Sequence, residues 1–186
     1  MEKIIKRKVR IWPIVLVIVF LIMILVGMFF YFALAEPSEP SKKIENPVSG
    51  ITNEEALAGF NKSYIDYLIY AMGGWKLHNP PLSTNTPKIK VKVEGAIYLS
   101  EIVNGGILTR KGDGEADMVV TTTKQEVVNT VMSEDMENYI KESIQTGQTQ
   151  IKLNAGYSEL FAKGYLSIHK DLTGESLTAS VVEMVS

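Results

Sequence analysis

The chain has 186 residues, no cysteine, two histidines (His78 and His169) and a formal net charge of −2. The missing cysteines exclude disulfides, thiol catalysis and cysteine-ligated metals, and the separated histidines leave no HxxxH or HExxH metal motif. Residues 1–10 carry +4 and everything from Glu36 onward carries −6, a balance that repels phosphates and argues against a nucleic-acid partner.

Ile11 to Ala35 contains no charged residue. A helix of that length spans about 37 Å, enough for a ~30 Å hydrocarbon core. Trp12 and Tyr31 fall near its ends, and Pro13 lies in the first turn, where a missing N–H does least harm. The sequence thus predicts a basic cytoplasmic segment at 1–10 and a single transmembrane helix at 11–35. Basic residues precede the span and Glu36 and Glu39 follow it. The positive-inside rule then places the N-terminus in the cytoplasm and the body outside the cell membrane. A cleaved signal peptide is the competing reading, because Ala33-Leu34-Ala35 has the A-x-A form; the apolar run is far longer than the usual 7–15 residues.

Residues 36–50, rich in proline, serine and charge, read as a stalk. The exported domain occupies 51–186. Thr52-Asn53-Glu54-Glu55 fits a capping box opening a helix, with apolar residues at Leu57, Phe60, Tyr64, Ile65, Leu68 and Met72 and a stop at Gly73-Gly74. Lys88–Glu94 alternates without a break and predicts a strand with Ile89, Val91 and Val93 buried and Lys88, Lys90 and Lys92 exposed. Strands follow at Ala96–Val103 and Ile107–Lys111, joined by Asn104-Gly105-Gly106, and at Asp117–Thr123. Glu101 shares a phase with Ile97 and Leu99, which suggests a bulge near Ser100.

Thr123-Lys124-Gln125-Glu126 is a second capping box, opening a helix with Val127, Val128, Val131 and Met132 on one side. Ser133 is the expected cap of another helix bearing Met136, Tyr139, Ile140 and Ile144 and ending at Gly147. Gln148–Asn154 is open between loop and short strand. Tyr157–Lys163 reads as a helical turn ending at Gly164, and Tyr165–His169 as a fifth strand. The fold class is therefore α+β: an antiparallel sheet of about five strands, with helices on one face, preceded by one transmembrane helix.

No catalytic constellation is visible. G-x-S-x-G, P-loop and G-x-G-x-x-G motifs are absent, and Asp113-Gly114-Glu115-Ala116-Asp117 resembles a calcium loop only until Met118 and Lys124 break the ligand pattern. A polar turn is the simpler reading. His169 is expected on a strand surface, and His78 has no carboxylate or serine partner in view. No cofactor and no metal are expected. Asn61-Lys62-Ser63 is an N-glycosylation sequon, a short and common triplet.

The stretch Gly112-Asp113-Gly114-Glu115-Ala116-Asp117-Met118-Val119-Val120-Thr121-Thr122-Thr123-Lys124-Gln125-Glu126-Val127-Val128 resembles the turn, Ala-Asp strand and capped helix of the sterol carrier protein type two family. Leu160-Phe161-Ala162-Lys163-Gly164-Tyr165-Leu166-Ser167-Ile168 is similar to that family's Ala/Phe–x–Gly passage. The resemblance extends over about 51–172. The anchor and the strand-like Gln148–Asn154 depart from the family pattern. The resemblance implies an apolar tunnel between sheet and helices for a lipid or other apolar ligand, lined by Val127, Val131, Met132, Met136, Tyr139, Ile140 and Phe161. Two readings from other classes stand beside it: a membrane-tethered interaction module binding an envelope protein partner without ligand, and a hydrolase with an unseen site.

Overall fold

In the computed structural model, the residues described are 12–34, 44–80 and 83–176. The chain divides into two units, Met1–Glu36 and Pro37–Ser186. The basic segment, most of the stalk and the apolar tail after Ser176 lie outside the described residues.

The first unit is helix α1, Trp12–Leu34, with no acidic residue in its first turn and no basic residue in its last. Its described side chains are Pro13 and those from Val15 to Met28, and the large apolar ones among them are 47% to 66% exposed. Among the described residues no helix is long and apolar enough to cross a membrane. The helix expected at 11–35 is therefore present as a helix, while its transmembrane placement is not established by it.

In the second unit, packing reaches back to Val48, inside the stretch expected as stalk. The capping box closes in both directions: Thr52 accepts from the Glu55 N–H, and the Glu55 carboxylate accepts from the Thr52 N–H. The helix it opens is short. Gly59 ends α2 (Asn53–Ala58), and Asn61 caps a separate α3 (Lys62–Ala71) by accepting from the Ser63 N–H at 2.8 Å. The single stripe predicted from Leu57 to Met72 is thus two helices, because Asn61 offers its side chain to the backbone and restarts the ladder.

The sheet has the order β3-β2-β1-β4-β5, with β1 Lys88–Val93, β2 Ala96–Val103, β3 Gly106–Lys111, β4 Met118–Thr122 and β5 Gln150–Leu153. Two tight hairpins build β1-β2-β3. Positive φ at Glu94 and Gly95, and at Asn104 and Gly105, gives each loop the twist that antiparallel neighbours need. The expected antiparallel meander then fails at β4, which returns beside β1 and pairs with it in parallel, Ile89 opposite Met118 through Val93 opposite Thr122. The sheet is mixed. Short turns signal antiparallel neighbours only between consecutive strands, and they carry no information on the partner of β4.

One face of the sheet carries Ile89, Val91, Val93, Tyr98, Ile102, Met118 and Val120, all buried in the core with α3, α4 and α7. Lys92 is exposed as expected, whereas Lys88 and Lys90 are half-buried. The bulge expected near Ser100 is absent, since β2 keeps unbroken register with both neighbours. Ser100 instead takes an inward position and is satisfied there by the Thr109 hydroxyl at 2.6 Å.

Helix α4 (Lys124–Met132) is capped by Thr123 as predicted. Helix α5 (Met136–Gln145) is capped by Asp135, not Ser133, whose hydroxyl accepts from the Asp135 N–H. The ambiguous stretch supplies β5. Helix α6 (Tyr157–Lys163) ends at Gly164 with φ 87°, and α7 (Tyr165–Thr173) follows at once. The fifth strand predicted at Tyr165–His169 is therefore a helix. Buried Tyr165, Ile168 and Leu172 recur at helical spacing, a pattern that a five-residue window is too short to reveal.

The backbone between α3 and β1 passes through Gly74, where an added Cβ would press into Ile69 Cγ2 and lie 2.8 Å from the Ile69 carbonyl oxygen. Gly74→Ala is expected to destabilise the domain by about 1–3 kcal/mol through overpacking. Urea unfolding followed by circular dichroism checks this, and unchanged stability would show that the turn relaxes freely.

Candidate functional site

Asp117 immediately precedes β4, and backbone bonds fix it against the start of β1. Its N–H donates to the Lys88 carbonyl at 3.0 Å, and the Lys88 N–H donates to its Oδ2 at 2.8 Å. Its carbonyl accepts from the N–H groups of Asn154 and Ala155, just past β5. The carboxylate faces α6 and α7. Lys163 Nζ donates to Asp117 Oδ1 and to Glu159 Oε1, both at 2.8 Å, and the Tyr165 hydroxyl lies 3.1 Å from both Asp117 Oδ2 and the Lys88 carbonyl.

Lys163 is 1% exposed, an extreme position for an ammonium group unless paired. Two carboxylates answer its charge, and Asn85 Nδ2 donates to the same Glu159 oxygen at 2.7 Å. The Lys163 ammonium holds the Glu159 carboxyl below the usual carboxylate range, mainly through that hydrogen bond. Burial first, then the Asp117 charge, pushes the Tyr165 phenol well above its ordinary value, so it remains a neutral donor. The cluster is closed: each group's charge or proton already has a partner.

Outside it opens a cleft of about 780 Å³, lined by Asn85, Lys88, Lys90, Asp113, Glu115, Asp117, Asn154 and Glu159, with small residues between them. Lys90 Nζ is 2.6 Å from Asp113 Oδ1 across it. The Asp113–Asp117 segment that resembled a calcium loop therefore spends one carboxylate on Lys90 and another on Lys163. Among the described residues no group of three or more His, Asp or Glu is placed to hold a metal ion. The cleft offers mixed, mutually paired charges and carries no histidine, serine or threonine among its lining residues.

The residues expected to line a tunnel divide between core and surface. Val127, Val131 and Ile140 are at most 1% exposed and belong to the core cluster under α4 and α5. Met136 and Tyr139 are half-buried. Met132 is exposed, with its sulfur 3.7 Å from Asn53 Nδ2, and Phe161 is 60% exposed on α6. Beside Val127 runs a polar seam: Ser143 Oγ donates to Glu126 Oε2 at 2.8 Å and lies 2.8 Å from Thr149 Oγ1, which lies 2.9 Å from Thr122 Oγ1. His169 is half-buried in α7, 3.2 Å from Thr173 Oγ1, and burial lowers its pKa.

No family model matches the sequence, and no curated protein matches it. Among solved structures the chain is similar to the UbiJ-SCP2 ubiquinone synthesis protein, with 11% identity over 72% of this chain and 97% of that one and a TM-score of 0.35. It is similar to sterol carrier protein 2 like 2 from Aedes aegypti at 9% identity over 50% of this chain and 88% of that one, with a TM-score of 0.27. It is also similar to the inverting sec-alkylsulfatase Pisa1 from Pseudomonas sp. at 16% identity over 41% of this chain, with a TM-score of 0.29. That match spans 12% of the alkylsulfatase's length.

The Asp117 cluster was not singled out by the sequence. Its one local signal is Glu159 and Lys163 at i,i+4, a spacing read by default as an exposed helical pair. Lys163→Met is expected to cost about 3 kcal/mol, because it leaves the Asp117 carboxylate buried without its cation. Asp117→Asn combined with Lys163→Met should cost less than the two single changes together. Denaturant melts of the three variants check both statements, and strict additivity would show that the pair is not coupled.

Proposed function

We propose that the chain is a membrane-tethered domain of the cell envelope that binds a lipid or another apolar ligand without catalysing a reaction. The observation that carries the tether is α1: a 23-residue helix of uncharged sequence whose described apolar side chains are all about half exposed or more. An apolar surface on every side of a helix requires an apolar surrounding, and lipid supplies it. The basic residues before α1 favour a cytoplasmic N-terminus and a body on the other side. A protease added outside intact cells is then expected to digest the body and leave a membrane-bound stub; full protection until lysis would reverse the orientation.

The layer between the sheet and α4–α5 is the place for an apolar ligand. Val127, Val131 and Ile140 form its floor, and Met132, Met136 and Tyr139 lie toward its outside. Methionines adapt to varied shapes, so α4 and α5 can part around a lipid tail at modest cost. A second reading, an interaction module without ligand, is favoured by the full burial of Val127, Val131 and Ile140, as in a dry core.

One comparison separates the two readings. The full chain in nanodiscs should bind a fluorescent fatty acid saturably, beyond partition into the disc, and Val131→Trp should abolish the saturable part. Absence of saturable binding, with Val131→Trp losing about 1–3 kcal/mol by overpacking, favours the module.

A further inference from the structure

The core helices cover one face of the sheet; the other is crossed by the turn containing Gly114, which packs on Leu99, and both Leu99 and Val119 are buried there. The strand register assigns Lys88, Lys90, Lys92, Arg110 and Lys152 to this second face, with Glu101 as the one acidic strand residue on it. Five of the 14 basic residues from Glu36 onward thus lie on this face, where Asp113 pairs with Lys90 and Glu115 lines the same cleft. Lys92, Arg110 and Lys152 are exposed, and none of the ion pairs among the described residues engages them. Among them stand exposed apolar side chains, Leu108 at 62% and Val103 at 38%.

We propose that the exposed part of this second sheet face is a docking surface for the headgroups of an anionic lipid bilayer. The inference rests on the membrane-tethered reading of the chain. The three unpaired cations lie on β1, β3 and β5, spread across a sheet whose strands are about 4.8 Å apart. They do not converge on one point, as a small-anion pocket would require. A planar array of negative groups matches them, and Leu108 and Val103 then enter the interfacial layer, as apolar residues flanked by cations do on lipid surfaces. An acidic protein would match the charge but would gain less from isolated aliphatic side chains at the rim.

The test uses the full chain held through α1 in immobilised phosphatidylcholine nanodiscs, which capture fluorescent vesicles from solution. Vesicles of phosphatidylcholine with phosphatidylglycerol should be captured, and those of phosphatidylcholine alone should not. Capture should fall as salt is raised. The triple variant Lys92→Glu, Arg110→Glu, Lys152→Glu should weaken it on the order of a hundredfold, since each cation near an anionic surface contributes about fivefold. Thr121→Lys, an added cation at an exposed position of the same face, should strengthen capture about fivefold, which keeps the test informative if the triple variant misfolds. If α1 does not hold the chain in the discs, the tether reading fails, and the chain immobilised by its N-terminus tests the face by itself. Equal capture of both vesicle types, or insensitivity to both variants, overturns the proposal. Retention of polyglutamate with no capture of anionic vesicles also overturns it, in favour of an acidic protein partner.

Discussion

Asp117 joins parts of the domain that are far apart in the chain. Its backbone locks the start of β4 to the start of β1, its carbonyl receives the segment after β5, and its carboxylate binds Lys163 and Tyr165 on α6 and α7. A parallel pair has no hairpin to set its register. For β1 and β4 that task falls to the two hydrogen bonds exchanged between Lys88 and Asp117. The ion pair with Lys163 then fixes where α6 lies against the sheet. A buried pair of this kind adds little net stability over an apolar substitute, and its value lies in allowing one arrangement and penalising others.

The two faces of the sheet follow from the same alternation and differ in chemistry. The inward phase of β1 is wholly aliphatic, and its partners on β2 and β4 continue the layer with Tyr98, Ile102, Met118 and Val120. The polar exceptions inside are hydroxyls that satisfy one another, Ser100 with Thr109 and Thr122 with Thr149 and Ser143. A bilayer ligand or an envelope partner would meet different chemistry on each side. Near α4 and α5 it finds aliphatic and thioether groups, and on the other face ammonium and guanidinium groups beside the carboxylates of Asp113 and Glu115.

Several local signals in the sequence appear in the fold, while the Ser133 cap and the bulge near Ser100 do not, and long-range pairing was not legible. The capping box at Thr52, the Thr123 cap, the strand at Lys88–Val93 and the Asn104-Gly105 hairpin appear as read, because each is settled by residues within a few positions. The return bond of the second box is missing, since the Glu126 carboxylate accepts from Ser143 instead. The parallel return of β4 depends on contacts between residues 88 and 117, and the helical state of Tyr165–Thr173 on burial of every third or fourth residue. Neither is visible in a short window. The tunnel residues implied by the resemblance share apolar character, which does not distinguish the buried Val131 from the exposed Phe161. The burial of Lys163 has no signal in its local sequence, because a lysine beside a glutamate at helical spacing is nearly always at the surface.

The parallel pairing of β1 and β4 has a consequence for the order in which the domain is made. The β1-β2-β3 hairpins can close as soon as they leave the ribosome, but the inner edge of β1 then faces water unpaired. Met118–Thr122 can lie beside it before Lys163 and Tyr165 exist, yet the Asp117 carboxylate that anchors the pair has no cation until α6 is complete. Once β4 has taken its place, its outer edge stays unpaired until β5 is made, and such an edge readily recruits other strands. Completion waits for the last helices, so a chain cut short before Gly164 is a candidate for aggregation or for capture by a chaperone.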